Sequence, residues 1–259
     1  MTHQVARKAN DLGAISSKIE RFISKYVSES SAGGIVVGLS GGLDSSVVLQ
    51  LAVNAIGPSR VHGLIIPSGT TPEVDTADAI ALAGILRIKY DVIDIHPIIE
   101  SYAKTLPDNE RARGNLTARI RMNILYYHAA LKGYIVAGTS DKSERLLGYF
   151  TKFGDGAADI LPIADLYKTE VRRLASSLKI PAAIVEKKSS PRLWKDHLAE
   201  DEIGYSYDQL DPVLQLIEKK KMPKAVARKL GLSLDDVRRI KEMVDKSAHK
   251  RKPAPFAKL

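Results

Sequence analysis

The 259-residue chain is 44% hydrophobic and 27% charged, with 18 Gly and 12 Pro, a composition that is typical of globular proteins and excludes disordered and fibrous classes. It contains no Cys, which excludes disulfides, thiolate metal sites and the hydrolysis of glutamine by a cysteine nucleophile of this chain. The formal net charge of +9 is compatible with acidic partners, and its distribution along the chain decides which ones.

The N-terminal segment MTHQVARKAN lacks the apolar core of a signal peptide. No apolar run approaches the ~20 residues that a membrane-spanning helix requires. We therefore expect a cytoplasmic protein without a membrane segment. Apolar residues then recur at helical spacing over residues 10–28, which predicts an amphipathic helix at the start of the fold.

Short apolar, β-branched segments alternate with helical patterns between residues 34 and 138. Strands are predicted at 34–39, 61–66, 90–95 and 134–138, and helices at 44–54, 72–87 and 115–131. This alternation predicts right-handed βαβ crossovers and an α/β fold with a Rossmann-like, doubly wound parallel sheet. Ligands of such sheets bind at the carboxyl ends of the strands, where the strand order switches direction.

Beyond the predicted sheet, the chain reads as two long loops and a helical C-terminal appendage. Residues 139–165 have no strong period, which favours a functional loop that covers a substrate. A helix is predicted at 166–179, a second active-site loop at 187–204, and short helices in the basic region 206–259. We expect the whole chain, residues 1–259, to form one domain.

The excess positive charge is confined to the C-terminal region. Residues 219–259 contain 14 Lys and Arg against 4 Asp and Glu, whereas the first 218 residues contain 25 basic and 26 acidic residues. Such a patch is compatible with RNA, an acidic partner, a phosphorylated substrate or simply a solvated helical face. Residues 222–246 also fit a helix-turn-helix pattern with its turn at Gly231, which would make the tail a nucleic-acid module.

The segment SGGLDS at residues 40–45 joins the first predicted strand to a helix. Glycines let the backbone approach a phosphate closely, and the first N–H groups of the helix point at the anion. Ser40 and Ser45 add hydroxyl donors, whereas the Asp44 carboxylate requires a cation between itself and a polyphosphate. Because the Walker pattern and the dinucleotide fingerprint are absent, the loop predicts a distinct nucleotide site with Mg²⁺.

This loop, GLSGGLDS with the end of its strand, resembles the pyrophosphate loop of the N-type ATP pyrophosphatases, which have the adenine nucleotide alpha hydrolase type of fold. The superfamily includes NAD, GMP, asparagine and argininosuccinate synthetases and tRNA-thiolating enzymes. Its members activate an oxygen with AMP, release pyrophosphate and let a nitrogen or sulfur nucleophile displace AMP. The resemblance implies ATP contacts by Gly38, Leu39, Ser40, Gly41, Gly42, Leu43, Asp44 and Ser45.

Two further motifs, GTSDKSE at 138–144 and GYFTKFGDGAADI at 148–160, resemble the signature of NAD synthetases. That resemblance implies that Thr139 contacts ATP and that Glu144 shares Mg²⁺ with Asp44. An Asp and a Glu at two strand ends suit this ion, which takes one or two protein carboxylates when it is bound to phosphates.

The same resemblance implies a second group of residues that bind deamido-NAD, the acid form of the dinucleotide. Lys152 and Asp159 come from the long signature, and Asp159 is also our candidate for the group that accepts a proton from ammonium. Arg119 belongs to a helix motif of the family, and we expect Arg121 to point to another side of that helix.

Three motifs later in the chain complete the resemblance. LPIADLYKTEV implies that Lys168 lies near the ATP phosphates and stabilises charge there. Ser190 aligns with an ATP contact of the family, although residues 196–200 depart from the family pattern. The closing SAHKR implies that His249 and Lys250 bind deamido-NAD.

The resemblance implies an ammonia-dependent NAD synthetase that is a homodimer, with Asp44, Asp159 and Lys168 as catalytic residues. Its substrates would be ATP, deamido-NAD and ammonia. One alternative is another adenylating enzyme of the superfamily, such as a tRNA-modifying one, although the lack of Cys disfavours sulfur transfer. The other is the nucleic-acid module, for which the tail is weak support, and we expect no nucleic-acid partner.

Overall fold

A parallel sheet of four strands, in the order β3-β2-β1-β4, lies at the centre of the computed structural model. The structure describes residues 9–194 and 196–258, so most of the segment examined for a signal peptide lies outside the described residues. The strands are β1 (Ile35–Gly38), β2 (Val61–Ile65), β3 (Lys89–Val92) and β4 (Ile135–Ala137). The helices are α1 (Ala9–Glu29), α2 (Leu43–Ile56), α3 (Glu73–Ile85), α4 (His96–Ala103), α5 (Glu110–Lys132), α6 (Lys142–Leu147), α7 (Lys168–Ser177), α8 (Ala182–Val185), α9 (Ala199–Ile203), α10 (Tyr207–Glu218), α11 (Pro223–Leu230) and α12 (Leu234–Lys246), with 3₁₀ turns at Pro58–Arg60 and Ser247–Arg251.

Both faces of β1, β2 and β4 are largely buried, which explains why these strands are mostly apolar rather than alternating, whereas the edge strand β3 is exposed. Ile35 and Val37 of β1 pack into one apolar cluster with α1, α2 and α7. Val36, between them, faces a second cluster on the side of α4 and α5. Helices therefore cover both faces, and the predicted doubly wound α/β fold is confirmed.

The strand order places the switch point between β1 and β4. From β1 the chain winds outward through β2 and β3, and α5 then returns it to the other side of β1, where β4 pairs in parallel. The carboxyl ends of β1 and β4 are thus neighbours although a hundred residues separate them. A crevice at such a point is the usual ligand site of an open α/β sheet.

Several helices differ from the sequence-based expectation. The stretch before α5 contains the additional helix α4, and α5 begins at Glu110 because the Asn109 side chain caps it by accepting from the Ala112 N–H. The first predicted loop, 139–165, contains α6, which the Asp141 side chain begins by accepting from the Glu144 N–H. The second, 187–204, contains α9. Short helices begun by a local cap are hard to recognise from periodicity.

The C-terminal helices form an apolar cluster of their own, which accounts for the predicted helical appendage. Tyr207, Leu210 and Leu214 of α10 are fully buried there, together with Ile240 of α12. Leu147 of α6 joins this cluster, so the appendage packs against the end of the first loop. In the described part of the chain, no helix is long and apolar enough to cross a membrane.

Candidate active site

The turn between β1 and α2 has a backbone that only glycine accommodates at its centre. Gly41 has φ +68°, and a Cβ atom there would lie 2.0 Å from the Asp75 carbonyl oxygen. Ser45 Oγ donates to the Gly42 carbonyl at 3.1 Å and lies 3.0 Å from Ser40 Oγ. The two serines therefore fix the loop internally, while the first N–H groups of α2 remain directed to the crevice.

Beside this loop, three carboxylates surround the ammonium group of Lys168. Lys168 Nζ lies 2.6 Å from Asp44 Oδ2, 2.8 Å from Glu144 Oε1 and 2.9 Å from Asp141 Oδ2. The Lys168 side chain is completely buried, beneath the ring of Tyr207 at 5.2 Å. The starts of α2, α6 and α7 thus bring one cation and three anions together.

The cluster contains more negative than positive groups, and burial changes the pKa values of its members. Burial alone would lower the pKa of Lys168, but Asp141, Asp44 and Glu144 raise it well above its usual value, so the ammonium stays charged. Burial raises the pKa of Asp141 to about 6 and that of Glu144 well above its usual value. Fully ionised, three carboxylates and one ammonium carry a charge of −2, which a divalent cation neutralises.

The donor set fits Mg²⁺. Oxygen atoms of Asp44, Asp141 and Glu144 lie within 4.8 Å of one another. Asp44 Oδ1 is buried and has no hydrogen-bond partner among the described residues, so one carboxylate oxygen is free to ligate. A small hard cation with oxygen ligands and bound phosphates satisfies both the charge and this oxygen atom.

The cluster opens into a cavity of about 360 Å³ at the carboxyl ends of the strands. Most residues predicted from the sequence to bind ATP or Mg²⁺ line it, together with one predicted for deamido-NAD. These are Gly38, Leu39, Ser40, Gly42, Leu43, Asp44, Ser45, Thr139, Glu144, Ser190 and Lys250. The predicted residues outside the lining are Gly41, Arg119, Lys152, Asp159, Lys168 and His249.

Arg121 lines the cavity, whereas Arg119, the arginine predicted to bind deamido-NAD, does not, so the two arginines point to different sides of α5. Its guanidinium donates to the Ile66 carbonyl at 3.1 Å and to Ser68 Oγ and Thr71 Oγ1 at 3.3 Å. Burial lowers its pKa to about 10, which still leaves it protonated at neutral pH. Helical spacing separates Arg121 from Arg119, but only the tertiary structure shows that α5 directs Arg121 toward the end of β2.

The second loop is fastened over the phosphate loop by ion pairs. Lys187 Nζ donates to the Gly41 carbonyl at 3.0 Å and to Asp75 Oδ1 at 2.8 Å. Arg192 Nε donates to the other oxygen of the same carboxylate at 2.9 Å. Ser190 Oγ donates to the His197 carbonyl, which turns the loop back on itself.

The two long loops meet at His197, in the segment that departs from the family pattern. Its ring stacks on Trp194 with centroids 3.4 Å apart. His197 Nε2 lies 3.0 Å from Tyr149 Oη and 2.8 Å from Glu202 Oε2. His197 therefore joins the first loop, the second loop and α9, and only the tertiary structure shows this. Lys195 of the divergent segment lies outside the described residues.

The basic end of the chain returns to the first loop. Gly148 has φ +71°, and a Cβ atom there would lie 2.1 Å from Ser247 Cβ, so glycine permits the close approach. Lys250 Nζ donates to the carbonyls of Gly148 at 2.7 Å and Phe150 at 2.8 Å. The tail is thus part of the wall of the site.

The other residues predicted for deamido-NAD form a chain of contacts next to the cavity. Arg119 donates to the Lys152 carbonyl at 3.3 Å, and Lys152 Nζ donates to the His249 carbonyl at 3.2 Å. Asp159 stands apart, because it accepts from the Val136 N–H at 2.7 Å at the edge of β4. The structure therefore groups Arg119, Lys152 and His249, and their roles remain predictions, as does that of Asp159.

The family model described as NAD synthase matches residues 15–254. The chain belongs to the NAD synthase family. The NH(3)-dependent NAD(+) synthetase of Hyperthermus butylicus is 49% identical over 251 residues, covering 95% of this chain and 91% of that protein. The family resemblance inferred from the motifs is thereby confirmed.

Two solved structures are similar to this NAD synthase family member over nearly their whole length. The NMN synthetase from Francisella tularensis has a TM-score of 0.85 and 36% identity, covering 96% of this chain and 99% of that one. The NH3-dependent NAD synthetase from Campylobacter jejuni has a TM-score of 0.82 and 32% identity, covering 95% and 99%.

Proposed function

We propose that this protein is a ligase that converts deamido-NAD to NAD with ammonia, at the expense of ATP, which becomes AMP and pyrophosphate. The carboxylate cluster beside the phosphate loop is the observation that carries the proposal. When ionised, the cluster has a net charge of −2, and Asp44 Oδ1 has no hydrogen-bond partner among the described residues. Both features favour a divalent cation bound beside a polyphosphate. Membership of the NAD synthase family supplies the substrate class.

In the first step, the nicotinate carboxylate of deamido-NAD attacks the α-phosphorus of ATP, forming the NAD-adenylate and releasing pyrophosphate. The N-terminus of α2 and the loop through Gly42 receive the phosphates. Asp44 and Glu144 would hold Mg²⁺, which would neutralise phosphate charge there. Positioning and charge neutralisation account for most of the acceleration in such transfers.

In the second step, ammonia attacks the activated carbonyl carbon and AMP leaves, which forms the carbon–nitrogen bond of nicotinamide. Lys168 is buried below the cavity, and its ion pairs hold Asp44 and Glu144 in place beside the phosphates. Lys250 and the group of Arg119, Lys152 and His249 provide cations for the dinucleotide. The proton acceptor for ammonium remains the prediction made for Asp159.

A turnover assay tests the proposal. Purified protein with ATP, Mg²⁺ and deamido-NAD should form NAD with ammonium and not with glutamine, because the chain has no Cys nucleophile. Asp44→Asn should abolish adenylate formation, whereas Asp165→Asn, an exposed carboxylate of the same region, should not. Absence of NAD with either nitrogen source would refute the proposal.

Nicotinate mononucleotide is a second candidate substrate, because the Francisella tularensis structure with a TM-score of 0.85 is an NMN synthetase. Nicotinate mononucleotide contains the same reacting carboxylate and lacks the adenylate half. The assay is therefore run with both acids. Lys152→Ala should raise the KM for deamido-NAD and leave the KM for ATP unchanged. A higher kcat/KM for the mononucleotide than for deamido-NAD would reverse our choice of substrate.

The homodimer implied by the family resemblance finds support in exposed apolar residues beside β4. Tyr127 and Leu131 of α5 are 69% and 70% exposed. Tyr26 of α1, 38% exposed, lies close enough to Tyr126 to help raise its pKa to about 12, after burial and Asp159. Contiguous apolar residues of this kind mark interaction surfaces. We propose that two copies meet here.

Light scattering after gel filtration tests this interface. Leu131→Glu should give a monomer, whereas Tyr102→Glu, an exposed aromatic residue of α4, should leave the dimer intact. A Leu131→Glu dimer of unchanged mass would place the interface elsewhere. The cytoplasmic location and the absence of a nucleic-acid partner stay predictions, and a salt-sensitive mobility shift with tRNA or duplex DNA would contradict the second.

A further inference from the structure

Three side chains that the proposed reaction does not use converge on the face of the sheet next to α5. His62 of β2 is buried, Asp91 of β3 is half-exposed, and His128 of α5 is largely buried. His62 Nε2 lies 2.8 Å from Asp91 Oδ2, and His128 Nδ1 lies 3.8 Å from the same oxygen. The three donor atoms all lie within 4.8 Å of one another.

We propose that His62, Asp91 and His128 bind a divalent cation of the Zn²⁺ type, at a site separate from the Mg²⁺ cluster. Two imidazole nitrogens and one carboxylate oxygen are a donor set that suits Zn²⁺ and its borderline neighbours rather than Mg²⁺. The half-exposed Asp91 leaves the fourth coordination position to water. None of the three residues lines the cavity at the carboxyl ends of the strands.

The distances are close to those of a metal site. Zn–N and Zn–O bonds of about 2.0–2.2 Å in a tetrahedron place donor atoms roughly 3.3 Å apart. The observed 2.8 Å and 3.8 Å each differ from that value by about 0.5 Å, which a small rotation of the exposed Asp91 side chain removes. The two imidazole rings are nearly parallel, 15° apart with centroids at 6.3 Å.

The charge state of His62 also suits metal binding. Burial lowers the pKa of His62 despite its hydrogen bond to Asp91, so its imidazole is neutral and has a lone pair at neutral pH. Lys132, which also lowers that pKa, is the neighbouring cation and acts against metal binding.

A metal bound here would fasten an edge of the fold. β3 is the outer strand of the sheet, its residues are exposed, and among the described residues it pairs only with β2. The cation would connect β3 to both β2 and α5. Because it binds the folded chain and not the unfolded one, it stabilises the fold in proportion to the logarithm of its free concentration.

Zn²⁺ titration of the full chain tests the site. Protein stripped with a chelator is titrated calorimetrically with ZnCl₂ while millimolar Mg²⁺ occupies the carboxylate cluster. We expect one Zn²⁺ per chain, an increase in Tm on binding, and at least about tenfold weaker binding in His128→Gln and in Asp91→Asn. His96→Gln, another histidine near the end of β3 and outside the group, should bind Zn²⁺ as the native chain does.

Co²⁺ provides a second measurement, since a tetrahedral nitrogen and oxygen site gives visible d–d bands that His128→Gln should lose. Both variants alter partly exposed side chains, and circular dichroism checks their folding. No saturable Zn²⁺ binding in the presence of Mg²⁺ would overturn the proposal. So would binding that His128→Gln and Asp91→Asn leave unchanged, or binding that Glu144→Gln abolishes.

Discussion

Replacing Asp141 by Asn should make the metal-free protein more stable and a poorer binder of Mg²⁺. Asp141 Oδ1 caps α6 by accepting from the Glu144 N–H at 2.8 Å, and Oδ2 faces Lys168 Nζ at 2.9 Å. Asn caps a helix about as well as Asp, so the substitution keeps the cap and removes one charge. The substitution changes the net charge of the ionised cluster from −2 to −1.

The magnitude follows from the pKa of Asp141. Burial first, and then the neighbouring Asp44 carboxylate, raises it from 3.8 to about 6 against the opposing effect of Lys168. Between these values the folded chain holds a proton that the unfolded chain has lost, so stability falls as pH rises from about 4 to about 6. At 1.4 kcal/mol per pKa unit, the ionised carboxylate costs about 3 kcal/mol at pH 7.

Urea unfolding in Mg²⁺-free buffer between pH 5 and pH 8 measures this effect. The free energy of unfolding of Asp141→Asn should exceed that of the native chain by about 3 kcal/mol at pH 7, with a smaller difference at pH 5. Asp165→Asn, whose side chain is 85% exposed, is the matched control and should show no such trend. An Asp141→Asn variant that is no more stable at pH 7, or a difference that is independent of pH, would refute the reasoning.

Three further predictions concern the walls of the site. Gly148→Ala should lower the free energy of unfolding more than Gly231→Ala does. Both glycines have φ near +70°, which costs an alanine about 1–2 kcal/mol, but only at Gly148 would the added Cβ press against Ser247. Urea unfolding of the two variants compares the losses, and equal losses would refute the contact. Arg121→Lys should lower kcat/KM about tenfold or more, since a single ammonium cannot replace the three hydrogen bonds of the guanidinium; unchanged steady-state kinetics would remove Arg121 from the site. Lys187→Met should raise the KM for ATP and speed hydrogen exchange in the second loop, which it fastens to the phosphate loop; a change in neither would show that this ion pair does not hold the loop.

The sequence predicted best those features that a short stretch of neighbouring residues determines by itself. The run of β-branched residues ended by SGGLDS predicted a buried strand, a turn and a helix, and the structure has all three. Gly41 illustrates why this worked, since its positive φ and the contact that excludes a Cβ are properties of that turn. The α/β class, the doubly wound sheet and the family were therefore predictable from residues close together in the chain.

The weakest predictions depended on the directions of side chains from different elements. Arg119 rather than Arg121 was predicted to meet the substrate, because helical spacing alone cannot show which side of α5 faces the end of β2. Asp141 was passed over because its neighbour Glu144 carried the motif, whereas its own importance comes from Lys168, 27 residues later. In the sequence, His197 was notable only as part of a segment that departs from the family pattern. The structure shows that it contacts both long loops.

By itself, the sequence determined the elements, the phosphate loop and the chemistry available to the chain, because these follow from local backbone preferences and residue types. Only the tertiary structure determines which charged side chains lie next to one another. The β4 strand pairs beside β1 across a hundred residues, and this long-range pairing brings Asp44, Asp141 and Glu144 around Lys168. The excess negative charge of that cluster, on which the proposed Mg²⁺ site rests, comes from this long-range pairing and not from any local signal.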